Sequence, residues 1–300
     1  MPNFFDNIYP YRRRIDDERY SLGLDEALDL LRHFRNSAPL EYKSEHKGVP
    51  FYIMGYAAFA SHDYSTASLY FDAAVAEDIK NFSSIDDKPS LNFMRLEDRG
   101  QEVLASRIIR QTITDADELI ADYNQRAGAR KITLDELRQC FLSPIISSPE
   151  PHKHTLITTF ISFIAEWKYR TKIIDLIEQG SREPFFTHLF RGCLLFESLL
   201  KEQPRKALTK NTLGDILRYD LSAELGLTKV DVQETNFSNV ITGLTPTMEM
   251  NATVNSAGKA RNTLGHNIVW ITANLNVTTY NLLVKNLAAA CLHVVSSLYR

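Results

Sequence analysis

The segment that most restricts the fold lies close to residue 290. Tyr280, Val284, Leu287, Cys291, Val294 and Leu298 recur at spacings of 4, 3, 4, 3 and 4, and Lys285 is the one Lys, Arg, Asp or Glu between Thr278 and Tyr299. Residues three and four apart share a face of an α-helix, so this spacing predicts a helix from about Thr278 to Tyr299. A helix with so little charge is buried on more than one side, either in the centre of a bundle or at a subunit interface. The chain must therefore supply other helices to surround it, or a second copy of itself.

Helical periodicity recurs upstream. Leu24, Ala27, Leu28, Leu31 and Phe34 form an apolar stripe that ends at the breakers Asn36 to Pro39. Phe51 to Ile79 reads as a helical hairpin with its bend at Ser61, His62 and Asp63. Helix is expected across Asn92 to Ala127, and again from Leu134, where Thr133 and Glu136 have capping-box spacing. Leu156, Phe160, Phe163, Ile164, Trp167, Ile174 and Ile177 make a long stripe that stops at Gly180, and a further apolar helix runs from about Pro184 to Lys201. Only Leu225 to Gly258 breaks the pattern: β-branched residues, Gly243, Pro246 and many Asn and Thr predict a long loop with a short hairpin. The fold class expected is all-α.

Ser143 to His154 carries Pro144, Pro149 and Pro151 among serines and coincides with a change in charge sign. Residues 1–150 hold 18 Lys and Arg against 25 Asp and Glu, whereas residues 151–300 hold 16 against 12. Two domains, 1–150 and 151–300, are expected from that coincidence. The mild basicity of the second half falls short of the basic stripe of a general duplex binder. Cys140, Cys193 and Cys291 are far apart and lack CxxC spacing, which points to reduced thiols in place of a disulfide framework or a structural zinc site. The charged N-terminal residues and the lack of a long uncharged apolar run predict a cytoplasmic protein with no membrane partner.

No phosphate-binding GxxxxGK[ST], strand-coupled GxGxxG, GxSxG elbow or HExxH occurs, and His152 and His154 lack neighbours that would complete a metal site, so no metal and no cofactor is expected. The segment Ala260-Arg261-Asn262-Thr263-Leu264-Gly265-His266-Asn267 stands apart. In a helix, Asn262 and His266 are i and i+4 and stack, while the long Arg261 side chain reaches round towards His266. A permanent guanidinium, an amide able to orient a ring and an imidazole titrating near neutrality suit a phosphodiester.

That string, Arg261-Asn262-x-x-x-His266, resembles the Arg-x(4 to 6)-His signature of the HEPN superfamily, all-α ribonucleases of toxin, antiviral and RNA-processing systems. The apolar run Phe190 to Lys201 is similar to the first helix of that fold, and the resemblance covers about residues 155 to 300. It implies a metal-independent endoribonuclease acting on single-stranded RNA as a homodimer. In such a site the 2′-hydroxyl attacks the adjacent phosphate and leaves a 2′,3′-cyclic phosphate. Arg261 would then stabilise the phosphate charge and His266 move protons, with Asn262, Asn267 and Lys259 positioning the site or the RNA, and the last helix would supply the dimer contact. The alternative it leaves open is an inactive dimeric scaffold that binds a nucleotide or a protein partner. In the first half, Phe51, Met54, Gly55, Ala67, Phe71 and Ala74 resemble one tetratricopeptide repeat, which implies an interaction or regulatory domain with a protein partner.

Overall fold

The computed structural model describes residues 9–100, 104–177, 180–267, 269–270 and 275–300. It is all-α, with no strand among the described residues. The chain forms two compact units, Met1–Ile113 and Thr114–Arg300.

The first unit contains α1 (Tyr9–Asp16), α2 (Tyr20–Ser37), α3 (Pro39–Ser44), α4 (Gly48–Ala60), α5 (Tyr64–Asn81) and α6 (Pro89–Met94). The expected hairpin is the pair α4 and α5. Asp63 caps α5 by accepting a hydrogen bond from the Thr66 backbone N–H. The two helices approach closely because position 55 has no side chain: a Cβ on Gly55 would lie 3.1 Å from the Phe71 ring. Phe71 in turn stacks on Phe93 of α6, with centroids 4.0 Å apart. The helix expected without interruption from Asn92 is instead broken. α6 ends at Met94, and Leu96 takes a left-handed φ of 52°.

The division between the units falls within α7 (Ser106–Arg126). Beyond it run α8 (Leu134–Leu137), α9 (Ser143–Ile146), α10 (His154–Leu176), α11 (Glu183–Lys201), α12 (Leu213–Asp215), α13 (Ser222–Leu225), α14 (Phe237–Thr242), α15 (Met250–Leu264) and α16 (Val277–Leu298). The capping box at Thr133 and Glu136 is present at α8. The Pro-rich segment near residue 150 is not where the compact units part: Pro144 occupies the first turn of α9, and Ile145 and Ile146 are buried. α8 and α9 are joined without a break by a π-helical turn, Arg138–Leu142, so Pro144 follows a widened turn inside one helical run, and Pro151 opens the short turn that leads into α10.

α16 is the axis of the second unit, packed by α10, α11, α13 and α15. Every residue from Asn286 to Leu298 is buried, which answers the choice left by its periodicity: its several apolar faces are covered within its own chain. It is therefore unavailable as the dimer contact expected of it. By length and composition α16 is also the one described helix able to cross a membrane, and 78% of its most apolar window is buried inside the unit.

Next to α16 lies a buried polar relay. His188 is fully buried. Its Nε2–H donates to the Phe163 carbonyl at 2.8 Å, which leaves Nδ1 to accept from the Tyr280 hydroxyl at 2.6 Å. Burial pushes the imidazole down to about 4 against the opposing pull of Glu166, so the ring is neutral and this donor pattern is stable. Tyr280→Phe would leave Nδ1 unpaired in the core. The expected loss is about 1–3 kcal/mol of unfolding free energy by denaturant titration, with the helical circular dichroism unchanged.

Candidate functional site

The segment from Leu225 to Gly258 determines how the motif is built, and it differs from the long loop expected there. It contains α14 and the start of α15, and in place of a hairpin an extended stretch, residues 228–232, lies along one face of α15. Asn251, Asn255, Lys259 and Asn262 hold it. Asn251 Oδ1 accepts from the backbone N–H groups of Thr228 and Lys229, Asn255 both accepts from Asp231 N–H and donates to the Lys229 carbonyl, Lys259 pairs with Asp231 at 3.0 Å, and Asn262 donates to the Val232 carbonyl at 2.8 Å. The spacing of those four side chains, at every third or fourth position, is that of one helix face. They satisfy backbone groups that a strand partner would otherwise satisfy, which is why no hairpin forms.

Val232 closes this arrangement against Gly258, where a Cβ would come within 2.9 Å of the Val232 Cβ. Gly258→Ala is therefore expected to push the stretch off the helix. The cost should be roughly 1–3 kcal/mol by thermal or denaturant unfolding, with faster amide exchange at residues 229–232.

Asn262 and Lys259 thus belong to the support of α15. The expectation that Asn262 stacks beneath His266 fails for a second reason: α15 ends at Leu264, and Gly265 caps it. His266 follows in a turn in which its own N–H and that of Asn267 both point to the Thr263 carbonyl at 3.3 Å. Asn267 is likewise structural. Its side chain bonds both backbone groups of Val269, and its carbonyl accepts from the Trp270 indole at 2.6 Å. The Trp270 ring in turn lies 6.2 Å from that of Phe237.

The structure does bring Arg261 and the chain beside His266 together. Arg261 sits in the last turn of α15, and a Cβ on Gly265 would lie 3.0 Å from its carbonyl oxygen, 3.7 Å from its Nη1 and 3.6 Å from the Phe190 ring. Glycine at 265 thus relieves crowding against the Arg261 carbonyl, and the guanidinium lies in ordinary contact distance of the backbone immediately before His266. The imidazole is exposed, and none of its hydrogen bonds is found among the described residues.

Glu197 of α11 is the residue of this site that the motif does not include. It is 7% exposed, accepts from Arg261 Nε at 2.6 Å and pairs with Lys201 at 2.7 Å. Burial alone would raise its pKa, but the hydrogen bonds and charges of Lys201 and Arg261 outweigh burial and hold the carboxyl below its ordinary value. A lone acid within the apolar run Leu194 to Leu200 was the available signal, since a carboxylate in such a place needs a cation. A second acid of this kind, Glu166 of α10, pairs with Arg170 at 2.7 Å and with Arg191 of α11.

No three His, Cys, Asp or Glu side chains converge as a metal-holding group among the described residues. His152 lies 3.5 Å from Glu150, and His154 is buried. Cys193 and Cys291 are buried with their thiols pushed up by desolvation, and Cys140 is half-buried. In comparisons with known proteins, no family model, no curated protein and no solved structure matches the chain.

Proposed function

We propose that residues 114–300 carry a HEPN-type endoribonuclease that cleaves single-stranded RNA by attack of the 2′-hydroxyl on the adjacent phosphate. The observation that carries this reading is the pairing at the end of α15: an exposed imidazole at His266, one residue after the glycine against which the Arg261 guanidinium rests. Glu197 engages the guanidinium through Nε, and this leaves the Nη N–H groups for non-bridging phosphate oxygens. His266 takes the 2′-hydroxyl proton as general base, the 2′-oxygen bonds to phosphorus, and the 5′-oxygen leaves with a proton from an imidazolium. Two copies of the chain would place two such pairs about one phosphate, so the active species is a homodimer. The setting that fits this chemistry is a cytoplasmic defence or toxin system.

A different reading rests on the same ion pair. Arg261 is already neutralised by a buried carboxylate, as befits a packing residue in a scaffold that binds a nucleotide or a partner protein. Incubation of the protein with single-stranded RNA in excess EDTA separates the two. Products ending in 2′,3′-cyclic phosphate and 5′-hydroxyl support the nuclease, and intact RNA in the presence of a dimer by light scattering supports the scaffold.

A further inference from the structure

The first unit has a cavity of its own, about 500 Å³ in volume, between the start of α4, the end of α5 and the start of α6. That is large enough for a ligand of mononucleotide size. On one wall, Asp78 of α5 is 4% exposed and accepts two hydrogen bonds: from His46, whose Nε2 lies 2.7 Å from Oδ1, and from the Ser90 hydroxyl, 3.1 Å from Oδ2. Gly48 makes the closeness of this group possible, because a Cβ there would fall 2.5 Å from His46 Nε2 and 2.6 Å from Asp78 Oδ1. The edge of the His46 ring is fixed on Phe82, with centroids 4.9 Å apart. The wall is therefore held from several sides.

The charge around this cavity runs against that of the unit. Residues 1–113 hold 14 Lys and Arg against 18 Asp and Glu, yet the cavity is lined by Arg12, Lys88 and His46, with Asp78 as the one carboxylate among the described residues that line it. Both oxygens of that carboxylate are already occupied. Neither cation has a close carboxylate partner among the described residues: Lys88 lies 3.8 Å from Asp87 and Arg12 4.0 Å from Asp16. Ion pairs that long hold a side chain weakly, and the Lys88 ammonium instead rests over the Phe82 ring, 4.1 Å from its centroid, which keeps it beside the cavity that Phe82 also lines. Val49, Ile53 and Leu104 supply an apolar floor. Among the described residues, donors in excess over acceptors, two cations without a close carboxylate and an apolar floor fit an anion with an apolar body.

We propose that this cavity binds a small organic phosphate, its phosphate held by Arg12 and Lys88 beside the His46–Asp78 wall and its apolar portion lying on Val49, Ile53 and Leu104. A phosphate monoester carries the multiple charge that two cations match, and guanidinium and ammonium are its usual partners. The site is independent of Arg261 and His266, so its occupancy is measured without RNA and its failure leaves the nuclease reading standing.

Calorimetric titration of the full chain with phenyl phosphate, inorganic phosphate and phenol tests it. Phenyl phosphate should bind saturably, inorganic phosphate at least about ten-fold more weakly, and phenol not at all. Lys88→Gln and Arg12→Gln should each weaken phenyl phosphate by about ten-fold, and Lys88→Arg should retain most of the affinity. Lys88 and Arg12 lie outside the hydrophobic core, so these variants are expected to fold, and unchanged circular dichroism and melting temperature check that they do. Absence of saturation by phenyl phosphate, equal binding of phenol, or indifference of binding to both glutamine variants overturns the proposal.

Discussion

On the proposed nuclease reading, His266→Ala and Arg261→Ala should each lower the rate of RNA cleavage by about 10²–10⁴-fold, the loss expected when a general base or a phosphate-binding cation is removed from a positioned site. The two variants differ in what else they disturb. His266 is exposed and its ring has no partner among the described residues, so its replacement leaves the melting temperature within about a degree. Arg261→Ala strips Glu197 of one of its two cations and leaves a 7% exposed carboxylate with Lys201 alone. It should therefore cost stability as well, of the order of 1–3 kcal/mol. Arg261→Lys separates the contributions: an ammonium can still neutralise Glu197 but lacks the forked N–H geometry, so stability returns further than activity. Product ends are read by sensitivity to a 2′,3′-cyclic phosphodiesterase. If the doubly substituted chain cleaves RNA as fast as the natural one, the nuclease reading is wrong.

The second large effect concerns pH. His188 and His293 are both pushed from their ordinary 6.5 to about 4, chiefly by burial; Glu166 opposes this at His188, and a hydrogen bond to the Leu225 carbonyl opposes it at His293. In the unfolded chain both rings take up a proton below pH 6.5, whereas in the folded chain they stay neutral until about pH 4. The unfolded state thus binds more protons across that interval, and stability falls as the pH is lowered through it. A depression of this size corresponds to roughly 2–4 kcal/mol for each ring, present in full above the unfolded value and lost towards pH 4. Denaturant midpoints measured from pH 7.5 downwards should fall steeply in this window. His188→Gln keeps a donor and an acceptor in similar places, and together with His293→Gln it should flatten the curve. Glu166 and Glu197, held below the ordinary carboxylate value, add their own loss at lower pH, so the two contributions separate.

The helices were legible wherever burial repeats at three and four residues, as it does in α2, α10, α11 and α16, because that period is a property of the backbone. The hairpin of α4 and α5 was legible for the same reason, with the acid Asp63 at its bend. What the sequence did not reveal depends on partners distant along the chain. The helix end at Leu264 is marked locally only by Gly265, which keeps an ordinary right-handed conformation in place of the left-handed one that commonly stops a helix. Asn262 and Lys259 look like ligand-binding groups until residues 228–232 lie against them, 28 to 30 positions away. The burial of Glu197 is not legible locally because Arg261, 64 residues later, is what permits it. Proline and serine near residue 150 read as a linker, yet Pro144 lies inside a helical run that a π-helical turn opens to admit it, and Ile145 and Ile146 are packed.

The place of α16 at the middle of its bundle has a bearing on synthesis. α10, α11 and α15 have their apolar faces turned towards a helix that emerges after them, so the nascent polypeptide cannot complete this core until residue 298 has cleared the ribosome exit tunnel. Asn286 donates to the Thr253 carbonyl of α15, so the helix carrying Arg261 gains its seat at that same late moment. A nascent chain would then hold α15 without its seat until the whole of α16 has left the tunnel.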